Sequence, residues 1–105
     1  MIFAVCSFGE HGTAGFTVQG HSGSAEAGED IVCAAVSSAV YMAANTLTDV
    51  LMLTPAIEVR DGFLSVRLAA EDAETALPIL KGLALHLREL QEEYPDYIQF
   101  ERGAL

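Results

Sequence analysis

Two alternating runs, Ala56–Arg60 (AIEVR) and Phe63–Leu68 (FLSVRL), meet at the dipeptide Asp61-Gly62, and no other stretch constrains the fold as tightly. A two-residue Asp-Gly loop adopts the mirror-image turn whose twist matches that of its flanking strands, so this segment is committed to an antiparallel hairpin. Alternation gives the hairpin one apolar face, and a lone hairpin is at best marginally stable in water. Something else in the chain must cover that face.

Two segments can do so. Asp30 fits a helix N-cap, opening a helix from Ile31 to about Leu47. Its apolar positions surround most of the circumference, which is the pattern of a helix buried on more than one side. In so small a domain that points to a subunit interface as well as a core. The second helix runs from about Glu71 to Glu93 with an apolar stripe at Ala73, Ala76, Leu77, Leu80, Leu83, Ala84, Leu87, Leu90 and Tyr94. Pro78 should kink it or delay its start. Upstream, Ile2–Phe8 and Gly15–Gln19 read as a second hairpin around the Gly/His turn, and Tyr97–Phe100 reads as a closing strand. The order is ββαββαβ, without repeat or linker. We therefore expect a single α+β domain over residues 1–105, a two-layer sandwich with one sheet packed on two helices, assembled as a homodimer.

Charge narrows the function classes. Five basic residues stand against fifteen acidic ones, a formal net charge of −10. That field repels phosphate backbones, so no direct nucleic-acid role is expected. It favours a basic partner, although solubility alone accounts for it equally well. No uninterrupted apolar run reaches membrane-spanning length, and MIFAVCSFGEHG lacks the basic region and long apolar core of a signal peptide. No membrane role and a cytoplasmic location are expected. Two cysteines without CxxC spacing suggest neither a disulfide framework nor a metal site, and no glycine-rich phosphate loop implies a cofactor.

The residues able to do chemistry gather around Gly20–Ser37, GHSGSAEAGEDIVCAAVS. Cys33 falls at the third position of the helix if Asp30 is its cap. Orphan N–H groups and the positive macrodipole there favour a thiolate, while the Asp30 charge opposes it. A buried cysteine on an apolar helix face is the bland alternative. His21, twelve residues upstream, is either a turn residue or the base that would ionise Cys33. Ser37 lies one turn beyond Cys33 and so shares its face, with a hydrogen bond into the site or a back-bond to the helix carbonyl as its two readings. Gly20–Glu29 carries no bulky apolar side chain to anchor it to a core, and mobility is expected there. Cys6, in the first strand, reads as a small hydrophobe. His11 and His86 read as exposed surface residues.

This stretch resembles the bacterial ribosomal-processing cysteine protease family, whose pattern is roughly GHAG…G-x-D-I-V-C-A-A-V-S. The match runs through Gly20, His21, Gly23, Gly28 and Asp30–Ser37, and the later YPDYI (Tyr94–Ile98) looks like the family's closing segment. Ser22 departs from the usual alanine. The resemblance implies a homodimeric cytoplasmic endopeptidase that removes the N-terminal extension of a large-subunit ribosomal protein (number twenty-seven). It implies Cys33 as nucleophile and His21 as general base, Asp30 either orienting the site or only capping the helix, and Gly20, Ser22, Gly23 and Ser37 on the substrate-binding side. It implies an oxyanion site at the helix start and a segment Ser22–Glu29 that reorganises when peptide docks. Two other classes stay open on residues alone: a non-catalytic ribosome-associated or assembly-factor domain using the same motif as a peptide groove, and a thiol-dependent transferase or redox sensor.

Overall fold

Strands Ile2–Phe8 (β1) and Ala14–Gln19 (β2) pair antiparallel, with Cys6 opposite Phe16 and Ala4 opposite Val18. The hairpin anticipated around Asp61-Gly62 forms from Ala56–Arg60 (β3) and Phe63–Leu68 (β4), and β4 pairs antiparallel with β2. A closing strand, Ile98–Arg102 (β5), lies parallel to β1, and the sheet order is β3-β4-β2-β1-β5. A computed structural model describes residues 1–20 and 27–105 of the chain, with side chains at 27–29 left aside.

Two helices complete the mixed α+β fold: α1 (Ala27–Asn45), between β2 and β3, and α2 (Ala73–Glu93), between β4 and β5. Alternation decides the core. Ile2, Ala4 and Cys6 of β1, Phe16 and Val18 of β2, and Leu64, Val66 and Leu68 of β4 are buried with Val32, Val36, Val40, Ala43 and Leu47 of the first helical segment and Leu80, Leu83 and Leu87 of α2. The intervening positions Phe3, Gln19 and Arg67 are exposed, as in an antiparallel sheet wet on one side.

Several boundaries differ from expectation for identifiable reasons. α1 begins at Ala27 rather than after Asp30, so Asp30 is not its cap. The helix thus gains about one turn upstream, through Ala27, Gly28 and Glu29, although glycine is a poor helix former and propensity alone does not account for it. Its far end widens into a π-helical turn, Thr46–Val50, where the Leu51 amide donates to the Thr46 carbonyl at 2.8 Å. The Thr46 and Thr48 hydroxyls donate back to the Met42 and Ala44 carbonyls (2.8 and 3.2 Å), a competition with the regular ladder that sequence periodicity does not show. Pro78 does not delay α2, which starts at Ala73 behind a 3₁₀ turn, Ala70–Asp72, and runs through the proline. β5 sits slightly later than anticipated and is held by the Gln91 side chain, whose Oε1 accepts from the Phe100 amide at 2.6 Å.

Asp30–Val50 is long and apolar enough to cross a membrane by length and composition alone, yet much of it packs into the core. The rest is uncovered in the single chain: Ile31, Tyr41 and Met42 are each more than half exposed.

Candidate active site

Cys33 is the seventh residue of α1 and lies in the second turn, on the face that carries Val36 and Val40 into the core. Only 5 % of its surface is exposed. The longer helix changes the electrostatic picture. The orphan N–H groups belong to Ala27–Asp30, about one turn before the thiol, so the Cys33 amide lies within the helical ladder. The macrodipole acts mainly within the first turn and thus reaches Cys33 less strongly than a third-position placement would give. Asp30 is exposed in that first turn.

The other thiol differs in kind. Cys6 is fully buried in β1 between Phe16 on one side and Arg102 on the other, and burial pushes its thiol up from 9.0 to about 12. It remains protonated at any physiological pH and serves packing, as expected.

Gly20 follows β2 and leads directly into His21. Its φ of +91° lies in the left-handed region, and a side chain there would run into the Met1 carbonyl. Its amide donates to the Gly62 carbonyl at 3.1 Å. The end of β2 is therefore held from two sides, by the N-terminal strand and by the β3–β4 turn. His21, Ser22 and Gly23 lie outside the described residues, as does most of the expected mobile segment. Ser37 sits one helical turn from Cys33, half-buried. His11 and His86 are exposed, and among the described residues no three His, Cys, Asp or Glu side chains converge as metal ligands.

Beside Ser37 the structure opens a groove of about 320 Å³ between α1 and the β3–β4 hairpin. Val36, Val40 and Tyr41 form one wall, and Val59 and Leu64 form the other, with Asp61 at the turn. None of the hairpin residues stands out in sequence as functional. The one available signal is geometric: Val59 pairs with the buried Leu64, so both face the helical layer, although β3 is an edge strand. Arg60 and Phe63 line the groove as well, the Arg60 guanidinium lying 3.2 Å from Glu58 and 4.1 Å above the Phe63 ring centre.

A nucleophile-type residue on a core helix, a glycine-fixed strand end leading to histidine and an adjacent open groove make an arrangement suited to peptide chemistry. Comparison with known proteins agrees. The family model for cysteine protease Prp matches residues 1–99. The ribosomal processing cysteine protease Prp of Mycoplasma pneumoniae is 32 % identical over 88 residues, covering 81 % of this chain and 83 % of that protein. The essential ribosomal processing protease Prp from S. aureus, solved with a substrate peptide, superposes with a TM-score of 0.81 at 23 % identity, over 98 % of this chain and 100 % of that one. The same S. aureus protease solved with a covalently linked product peptide gives a TM-score of 0.75 at 25 % identity, over 98 % and 100 % of the two chains. The chain belongs to the Prp family of cysteine proteases.

Proposed function

We propose that this cysteine protease removes the N-terminal extension of a large-subunit ribosomal protein, number twenty-seven, by a Cys33/His21 dyad. The observation that carries the reading is the placement of Cys33 on the α1 face that continues, one turn later, into the groove beside Ser37. The M. pneumoniae relative is named for ribosomal processing, and the S. aureus relative has been captured with both a substrate peptide and a covalently linked product. A covalent product is what thiol acyl-transfer chemistry leaves behind.

In this reading His21 takes the proton of Cys33, and the thiolate attacks the scissile carbonyl to give a tetrahedral oxyanion. Collapse breaks the C–N bond, and the imidazolium returns the proton to the departing amine. Water, activated by the same imidazole, then hydrolyses the thioester and releases the extension. The backbone N–H groups that begin α1 precede Cys33 by about one turn, so an oxyanion site built from them is displaced from the thiol's own amide. Asp30 is free of a capping duty, and an orienting role toward His21 is the part assigned to it here. Gly20, Ser22, Gly23 and Ser37 serve the substrate side. A net charge of −10 suits a basic ribosomal substrate and discourages direct contact with nucleic acid. The enzyme works as a cytoplasmic homodimer, for which the exposed apolar side of α1 (Ile31, Met42) is the supporting feature.

The test is incubation with a peptide spanning the extension junction. Cleavage should vanish in Cys33→Ala and persist in Cys6→Ala. A well-folded wild-type protein that leaves the junction intact would overturn the substrate assignment.

A further inference from the structure

The sheet ends in two edge strands, β5 and β3, and they are finished differently. On β5 the Phe100 amide is taken by Gln91 Oε1 at 2.6 Å, a side-chain cover that discourages further pairing. β3 has no such cover among the described residues. The Gly20–Gly62 bond fixes which way its backbone points. With those two as a bonded pair, Leu64 and Val66 bond toward β2, while Phe63, Ser65 and Arg67 bond to Arg60, Glu58 and Ala56 of β3. The N–H and C=O groups of Ile57 and Val59 are therefore turned out of the sheet. Their side chains share the helical face with Val66 and Leu64, yet are 47 % and 60 % exposed. Glu58 and Arg60 alternate with them on the outer face, 3.2 Å apart and open to solvent. Such an edge invites another strand.

We propose that β3 pairs antiparallel with the β3 of a second copy about a two-fold axis at Val59, joining two sheets into one. The assignment deepens the homodimer reading given above and rests on it. Glu58-Val59-Arg60 is self-complementary in this register. Val59 meets the partner's Val59 as a bonded pair that exchanges two backbone hydrogen bonds. Glu58 meets the partner's Arg60, and Arg60 the partner's Glu58, at the non-bonded positions where facing side chains come closest. The two exposed Glu58–Arg60 contacts become a ring of four alternating charges. Neighbouring registers lack this match. A two-fold at Glu58 sets two carboxylates face to face, and one at Ile57 brings Pro55, which has no N–H, opposite Val59. Charge selects the same occupant. Each chain carries −10, so two copies repel except where their surfaces are balanced, and Arg60 is one of only five basic residues. On the helical face, Tyr41 lies across from Val59 and is half exposed, so the junction continues from the strand to α1.

The test is sedimentation equilibrium on wild type and on the variants Glu58→Arg, Arg60→Glu and Val59→Pro, over a concentration series. Both charge positions are exposed, and the Val59 N–H bonds nothing in its own sheet, so the folds should survive; melting curves check this. Wild type should dimerise reversibly. Glu58→Arg and Arg60→Glu should each raise the dimer dissociation constant roughly ten- to a hundred-fold, because like charges then face each other across the axis. An equimolar mixture of those two variants should recover the wild-type affinity, since every facing pair is again opposite in sign. Val59→Pro removes the central backbone donor and should give monomer with all charges in place. A wild-type dimer that all three variants leave intact would overturn the β3 interface while the homodimer reading stands. Wild type that stays monomeric across the series would overturn both. If, in addition, Val59→Pro weakens binding of the labelled junction peptide to Cys33→Ala protein, the edge takes an extended peptide in place of a second copy.

Discussion

The Gly20 amide donates a 3.1 Å hydrogen bond to the Gly62 carbonyl, so the residue before His21 is tied to the same turn that closes the β3–β4 hairpin. One backbone contact thereby links the end of β2, where the proposed base begins, to a wall of the groove beside α1. Gly20 also has no room for a side chain, because the Met1 carbonyl occupies that space and φ is +91°. Gly20→Ala should destabilise the protein by about 2 kcal/mol or more. That corresponds to a fall in Tm of roughly 10 °C. It should also displace His21 and lower kcat/KM on the order of 100-fold in the molecules that remain folded. Gly82 is the control: it lies within α2 with open space around it, so Gly82→Ala should raise stability by ~0.5–1 kcal/mol. Thermal melts and peptide turnover on the two variants check both halves, and a Gly20→Ala protein as stable as Gly82→Ala would refute the close approach.

Much of this fold was legible because its signals are local. Asp61-Gly62 determined β3 and β4 to the residue, and the stripe from Ala76 to Leu90 identified the buried side of α2. The start of α1 was misplaced because Asp30 has the side chain of an N-cap, and Gly28 near the helix start gives no local signal that the helix continues upstream to Ala27. That single shift moves Cys33 from the helix start into its second turn and weakens the simplest explanation for a reactive thiol. The groove was invisible for a different reason. It depends on Val59, Asp61 and Tyr41 coming together from distant parts of the chain, and each alone looks like an ordinary strand, turn or helix residue.

The two cysteines should separate sharply by reactivity. Burial holds the Cys6 thiol near 12, so its thiolate fraction at neutral pH is negligible. Iodoacetamide below pH 8 should modify Cys33 alone in the native protein, and His21→Ala should slow that reaction. Cys6 should become reactive only after denaturation. Mass spectrometry of quenched time points reads both sites, and equal labelling of Cys6 and Cys33 in folded protein would be inconsistent with the assignment.

The same buried thiol makes stability depend on alkaline pH. The folded-state pKa lies above the unfolded value, so the contribution of Cys6 is fully present below about pH 9 and is lost as pH rises toward 12. Over that window the wild type should lose stability by about 1.4 kcal/mol per pH unit from this group alone. Tyrosines and lysines titrate in the same range, so the informative quantity is the difference from Cys6→Ala. That variant should cost on the order of 1 kcal/mol at pH 7, and its stability curve should fall less steeply above pH 9. Urea titrations between pH 7 and 10.5 provide the comparison. Parallel curves for the two proteins would show that the thiol stays protonated in both states or ionises in both.

At the opposite end of the pH scale, the contact between Glu10 and Arg102 ties the β1–β2 turn to the end of β5. Arg102 Nε and Nη2 donate to the two Glu10 carboxylate oxygens at 3.4 and 3.2 Å, while its guanidinium sits 4.2 Å above the Phe8 ring centre. The hydrogen bond from Arg102 is the main cause that holds the Glu10 carboxyl below its ordinary value of 4.5, against desolvation and with help from the Phe8 and Glu10 backbone amides. A carboxylate with a lowered folded-state pKa contributes stability above that ordinary value and loses it as pH falls through the folded value. The pair is exposed, so salt should screen it and its effect on global unfolding should be slight. The sensitive readout is the Glu10 titration followed by carboxyl-carbon NMR. Arg102→Gln should move that titration back up toward 4.5, and high salt should move it part of the way in the wild type. Arg102→Lys should keep some of the charge effect but lose the two-pronged geometry and the stacking on Phe8, giving an intermediate value. If all three proteins titrate together, the contact is not maintained in solution and the β1–β2 turn is held without it, by the Ser7 hydroxyl donating to the Thr13 carbonyl at 2.6 Å and the Gly12 amide donating to the Gly9 carbonyl at 3.0 Å.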